Sequence, residues 1–166
     1  MLTRFLRDTL LPMLHIRVPA TSANLGPGFD CLGIALSLYL EVTATPSTQD
    51  HFLYTGQGHI ADTPDNLMHE GFRAAYSSLH QKAPTVTFNV TNPIPLARGL
   101  GSSSAALVAG IALADAMMNG KLGREGVFQL AAEMEGHPDN VAPAIYGGFT
   151  ASVKRDDGSY LCERLE

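Results

Sequence analysis

The residues most open to a chemical reading lie between Pro95 and Ala106 (PLARGLGSSSAA), where a glycine-rich turn runs into a row of serines and then into an alanine-rich helix. The first turn of a helix carries backbone N–H groups without intrahelical acceptors and a partial positive charge. Gly99 and Gly101 have no Cβ to hold an anion away from those groups. Ser102, Ser103 and Ser104 add hydroxyl donors and a natural N-cap. The combination is a seat for a phosphate, and it points to a nucleotide. A Walker A loop is excluded, because no lysine follows Gly101. A dinucleotide fingerprint is excluded as well, because its third glycine falls on Ser104. The local alternative is a flexible turn followed by an ordinary helix cap. A serine hydrolase ranks lower, since the loop lacks a Gly-x-Ser-x-Gly elbow.

The elements that must hold this loop can be read on either side of it. Val86, Phe88 and Val90 alternate with Thr87, Asn89 and Thr91, which predicts a half-buried strand over 85–91 leading into the loop. The segment 103–118 is apolar almost all round and predicts a buried helix, with Gly110 allowing close packing and Gly120 ending it. A second helix is expected over 124–135, ending at Gly136, and a polar turn at His137-Pro-Asp-Asn140. Earlier in the chain, 14–18 reads as strand and 19–30 as loop, because two prolines and two glycines interrupt it. At least the second half of 32–45 reads as strand, and 51–60 as a weaker one. Asp65 is the expected cap of a helix over 66–80, and a strand is expected over 149–153. Strands and helices interleave irregularly, which predicts an α+β fold rather than a doubly wound sheet.

The chain has 166 residues, 45% of them hydrophobic and 16% charged, which suits one globular domain with a sizeable core. Its net charge of −5 and the lack of any basic run give no footprint for nucleic acid. No apolar run is long enough to cross a bilayer, so no membrane partner is expected. Cys31 and Cys162 form neither metal spacing nor a disulfide framework, and a reducing, cytoplasmic compartment is the simpler expectation. His15, His51, His59, His69 and His80 show no metal-ligand spacing and read as structural or surface residues. Residues 1–12 precede a second methionine, Met13, and read as an extension of unassigned role before a domain at 13–166.

Three blocks in order, Pro19-Ala-Thr-Ser-Ala-Asn-Leu-Gly-Pro-Gly-Phe-Asp30, Pro95 to Ala106, and Glu135-Gly-His-Pro-Asp-Asn-Val-Ala-Pro143, resemble the GHMP small-molecule kinases, and within them the homoserine branch. The resemblance runs from about Met13 to the end. It implies the family's N-terminal domain, with a fold like the second domain of ribosomal protein S5, and a C-terminal domain that this chain lacks. It further implies ATP and Mg2+ as cofactors and homoserine as the small-molecule substrate, phosphorylated on its hydroxyl on the way to threonine. A homodimer is left open. Another alcohol kinase of the same superfamily, or a nucleotide-binding half-domain without catalysis, stands as the alternative.

By this resemblance, ATP would lie over Asn66 and over Pro95, Leu96, Ala97, Arg98, Gly99, Leu100, Gly101, Ser102, Ser103, Ser104 and Ala105. The metal would be shared by Ser103 and a helix glutamate, for which Glu133 is the choice and Glu135 its neighbour; the two point to different sides of a helix. Asn24, Asp30, His137 and Asp139 would form the homoserine site, with an aspartate taking the ammonium. Asp139 could accept the hydroxyl proton, or Asn140 could orient the hydroxyl without a base, since a loose transition state needs little help from one. The bland counterparts are a helix cap for Asn66, solvated charges for the glutamates, a helix-ending turn for His137 and Asp139, and a surface loop for Asn24 and Asp30.

Overall fold

The computed structural model describes residues 13–165, so the extension at 1–12 lies outside the described residues. Six strands form one sheet. β1 (Leu14–Leu25) and β2 (Gly28–Pro46) make a long antiparallel hairpin turned at Gly26-Pro27. On its other side β2 pairs with β4 (Val86–Asn92) through residues 41–46 and with β5 (Phe149–Lys154) through residues 32–34. β3 (His51–Gly56) runs parallel to β4, and β6 (Tyr160–Leu165) closes the far edge beside β5. The parallel pair needs a crossover, which α1 (Leu67–Ser78) supplies. Three further helices follow β4: α2 (Ser102–Met117), α3 (Gly123–Glu135) and the short α4 (Val141–Tyr146).

The expected loop over 19–30 is mostly strand. β1 continues through Pro19 to Leu25, and β2 begins at Gly28. Proline is tolerated there because β1 pairs on one side alone, so Pro19 leaves no ladder acceptor unmet on its free side. The disturbance appears instead as register shifts between Pro19 and Thr21 and between Ala23 and Leu25. β2 is strand along its whole length, and the expected strand over 51–60 stops at Gly56. α1 is capped by Asn66, whose side-chain oxygen accepts from the N–H groups of Met68 and His69, rather than by Asp65.

The core forms where α2 meets α1 and the hairpin. Val86, Phe88 and Val90 all face inward from β4, as their alternation requires. α2 buries Leu107, Val108, Ile111 and Leu113 together with its alanines. Two glycines let the helices touch backbone to backbone. A Cβ on Gly110 would stand 2.0 Å from the Met68 carbonyl oxygen, and one on Gly71 would stand 2.7 Å from that of Leu107. No helix among the described residues is long and apolar enough to cross a membrane.

His69 is buried in this core, with its ring 4.6 Å from that of Phe88 and its Nε2 without a hydrogen-bond partner among the described residues. Burial holds the imidazole below its ordinary titration range, with the Asp50 carboxylate opposing that shift. The unfolded chain therefore takes up this proton first as the pH falls. Stability from this residue is intact above about pH 6.5, the unfolded value, and is lost as acid is added below it. Urea midpoints measured at pH 7.5 and 5.5 should fall further for the native chain than for His69→Phe, and equal falls would refute the assignment.

Candidate nucleotide site

The chain leaves β4 at Asn92 and enters the glycine-serine loop. Ala97, Gly99 and Gly101 take left-handed backbone angles (φ 52°, 70° and 64°), so the loop turns sharply at alternate residues. Gly101 is the N-cap residue of α2, and no side chain caps that helix. The serines, expected to cap, therefore do not. They occupy the first helical turn, where Ala105 makes the first intrahelical bond back to the Gly101 carbonyl at 2.8 Å. The N–H groups of Ser102, Ser103 and Ser104 precede that bond and have no acceptor within the helix. Two buried residues steady the loop from below. Asn92 donates to the Ser102 hydroxyl at 3.2 Å and accepts from the Ile94 N–H. Thr21 donates its N–H to the Leu100 carbonyl at 3.1 Å.

Beside the loop lies a cavity of about 700 Å³. Its lining includes the apolar residues Phe52, Tyr54, Ile60, Leu67, Met68, Val90 and Leu96. It also includes the polar residues Ser102, Ser103, Ser104, Glu135, His137 and Asn140. Of the expected nucleotide residues, Asn66 and all those from Pro95 to Ser104 reach the cavity. Ala105 does not; it is fully buried beneath the loop. Arg98 is exposed, and its one hydrogen bond goes to the neighbouring Ala97 carbonyl. Asn66 both caps α1 and lines the cavity, so its bland and functional readings coexist.

The acidic residue facing the loop is Glu135, not Glu133. Glu135 Oε1 accepts from the Ser104 hydroxyl at 2.9 Å and lies 3.5 Å from that of Ser103. Glu133 is exposed and stands outside the cavity. The reason is periodicity. α3 buries Phe128, Ala131 and Ala132, and Glu135 continues that stripe at the next helical spacing, while Glu133 falls on the opposite side. The pattern was present in the sequence.

Asp139 holds a second cluster together. It is fully buried, and its carboxylate accepts from His137 Nδ1 at 2.7 Å, from the Asn140 N–H at 2.8 Å and from Asn24 Nδ2 at 3.1 Å. A carboxylate enclosed by three donors and absent from the cavity wall is poorly placed to take a proton from a bound alcohol. The Asp139 carboxylate here ties together Asn24, His137 and the Asn140 N–H. Asn24 in turn accepts from the Asp30 N–H at 2.9 Å. Asn24 and Asp30 both take left-handed angles (φ 59° and 56°), which short polar side chains tolerate. The Asp30 carboxylate is exposed and has no hydrogen-bond partner among the described residues. Neither Asn24 nor Asp30 lines the cavity; they flank it through Asp139.

Sequence reading gave no site role to Thr21, Asn92, Tyr54 or Ile60. Thr21 sits inside the first block, but its partner Asn140 lies 119 positions away.

No group of three or more metal-ligating side chains occurs among the described residues. A metal here would have to draw most of its ligands from phosphate and water. Glu135 and the Ser103 hydroxyl are hard oxygen donors beside the helix terminus, and they fit such a role for Mg2+.

The family model described as the GHMP kinases N terminal domain matches residues 66–148. A homoserine kinase of Thermus thermophilus is 62% identical over 143 residues, covering 86% of this chain and 48% of that protein. A homoserine kinase of Moorella thermoacetica is 45% identical over 153 residues, covering 91% and 51%. The crystal structure of a homoserine kinase from Cytophaga hutchinsonii superposes with a TM-score of 0.76 at 26% identity, covering 99% of this chain and 54% of that one. The chain spans about half the length of the curated relatives it matches. With the loop, the cavity and the α+β sheet all in agreement, the chain belongs to the GHMP kinases and carries their N-terminal domain.

Proposed function

We propose that this chain is the nucleotide-binding part of a kinase that transfers the γ-phosphoryl group of ATP to the hydroxyl of homoserine. The observation that carries the reading is one cavity lined both by apolar side chains that suit a base and by Ser102 to Ser104, whose N–H groups open α2 without a side-chain cap. Identity of 62% to a homoserine kinase supports the choice of alcohol.

In this reading the adenine lies against Tyr54, Ile60 and Leu67, near Asn66, and the phosphates lie over Gly99 to Ser104. Ser103 and Glu135 would hold Mg2+, which would supply charge neutralisation on the phosphate oxygens. The chain's own residues then bind and orient. The loop N–H groups hold the β- and γ-phosphates. Asn24, His137 and Asn140, aligned through Asp139, place the homoserine hydroxyl, and the exposed Asp30 carboxylate takes its ammonium. The hydroxyl oxygen bonds to the γ-phosphorus, the bond to the bridging oxygen breaks, ADP leaves and the hydroxyl proton passes to solvent. Orientation and electrostatics do most of this work, and no base is required of Asp139.

The test pairs calorimetric binding of a non-hydrolysable ATP analogue with coupled ADP release. Binding together with homoserine-dependent turnover is the expected result. Turnover on another alcohol instead would move the protein to a sibling kinase. Binding without turnover on any alcohol would make the chain a nucleotide-binding half-domain.

A further inference from the structure

Thr21 has no role in the scheme above, yet it is the one fully buried side chain that joins the loop to the cluster around Asp139. It sits on β1, between the two register shifts. Its hydroxyl donates to Asn140 Oδ1 at 2.8 Å, across 119 positions of sequence, and its N–H donates to the Leu100 carbonyl at 3.1 Å. The hydroxyl also fills the space that Gly101 leaves open, where a Cβ would stand 2.0 Å from Thr21 Oγ1. One residue thus touches three parts of the site: the strand that begins the first block, the turn that starts α2, and the amide at the head of α4.

The consequence falls on Asn140. Thr21 holds the Asn140 amide through Oδ1, and the NH₂ group has no protein partner among the described residues. Asn140 lines the cavity beside Ser102 to Ser104. We propose that Thr21 is a positioning residue: its hydroxyl locks the Asn140 amide so that the NH₂ group faces the reacting hydroxyl and phosphoryl oxygens, and its N–H keeps the phosphate loop in register with that amide. This rests on the kinase reading for what Asn140 touches, but the lock itself is a property of the chain.

Thr21→Val keeps the shape and removes the hydroxyl, and Thr21→Ser restores it. The ¹⁵N order parameter of the Asn140 side chain, measured on the whole chain, should drop from about 0.8 to below about 0.6 in Thr21→Val and recover in Thr21→Ser. Turnover should fall about tenfold in Thr21→Val, with KM for ATP within about twofold, as expected when a donor is misaimed and ground-state binding survives. In an Asn140→Ala background the same substitution should add less than about twofold, because its target is gone. If the valine variant fails to fold, Thr21→Ala carries the same comparisons. An unchanged Asn140 order parameter overturns the proposal, and so do penalties that multiply in the double variant. If the native chain binds nucleotide without turnover, it is the half-domain named above, and the order parameter alone decides the fate of the lock.

Discussion

Gly101→Ala is expected to weaken binding of a non-hydrolysable ATP analogue by about 100-fold or more, and Gly99→Ala by about tenfold or less. Both positions are left-handed, at φ 64° and 70°. An alanine at either one carries backbone strain on the order of 1 kcal/mol or somewhat above it. Their surroundings differ. Nothing lies within 4 Å of a Cβ built on Gly99, so strain is the whole effect there. A Cβ on Gly101 would stand 2.0 Å from Thr21 Oγ1 and 3.1 Å from Asn140 Oδ1. Neither neighbour can swing aside, because the two are bonded to each other and Thr21 is fully buried. The first turn of α2 must shift instead, and the N–H groups of Ser102 to Ser104 shift with it. Loss of phosphate contacts together with strain amounts to about 3 kcal/mol, hence roughly two decades in affinity. Calorimetric titration of both variants checks this. Affinity of the Gly101 variant within about threefold of the Gly99 variant would mean that the close approach is irrelevant to the phosphate seat.

What could be read from the sequence follows the range of the forces involved. The alternation of Val86, Phe88 and Val90 is local, and β4 appears where that pattern puts it. The all-round apolar character of α2 and the place of Gly110 are local too, and the structure uses that glycine to bring α2 onto the Met68 carbonyl. The prolines and glycines of Pro19 to Asp30 read locally as a loop, but β1 has a free side among the described residues and accommodates them. Ser102 to Ser104 looked like caps because serine so often caps; Gly101 takes that place because the chain needs a left-handed residue pressed against Thr21. Thr21 reaches Asn140 across 119 positions and Asp139 reaches Asn24 across 115, and no local window holds either pair. The burial of Asp139 is the clearest case. As a residue in a polar turn it reads as accessible, yet the fold brings Asn24 from β1 and Gly33 from β2 against it.

The choice between Glu133 and Glu135 can be settled by charge alone. Glu135→Gln keeps a side-chain oxygen able to accept from Ser104 and removes the negative charge beside Ser103. Glu133→Gln removes the same charge from an exposed position two residues away. If Glu135 helps hold Mg2+ at the triphosphate, the native chain should bind the ATP analogue more tightly when Mg2+ is present. Glu135→Gln should lose most of that gain, and Glu133→Gln should keep it. Turnover should fall about 100-fold or more in Glu135→Gln, since a misplaced cation leaves charge on the transferred group uncompensated. It should stay within about twofold in Glu133→Gln, because a solvated carboxylate on the far side of α3 is screened from the site. Folding does not confuse the comparison: neither residue is in the core, and the Ser104 bond survives the substitution at 135. Equal Mg2+ dependence in the two variants would remove Glu135 from the metal site and leave its bond to Ser104 as a helix-to-helix tie. A larger loss at Glu133 would mean that Glu133, about 200° away around α3, faces the metal when nucleotide is bound.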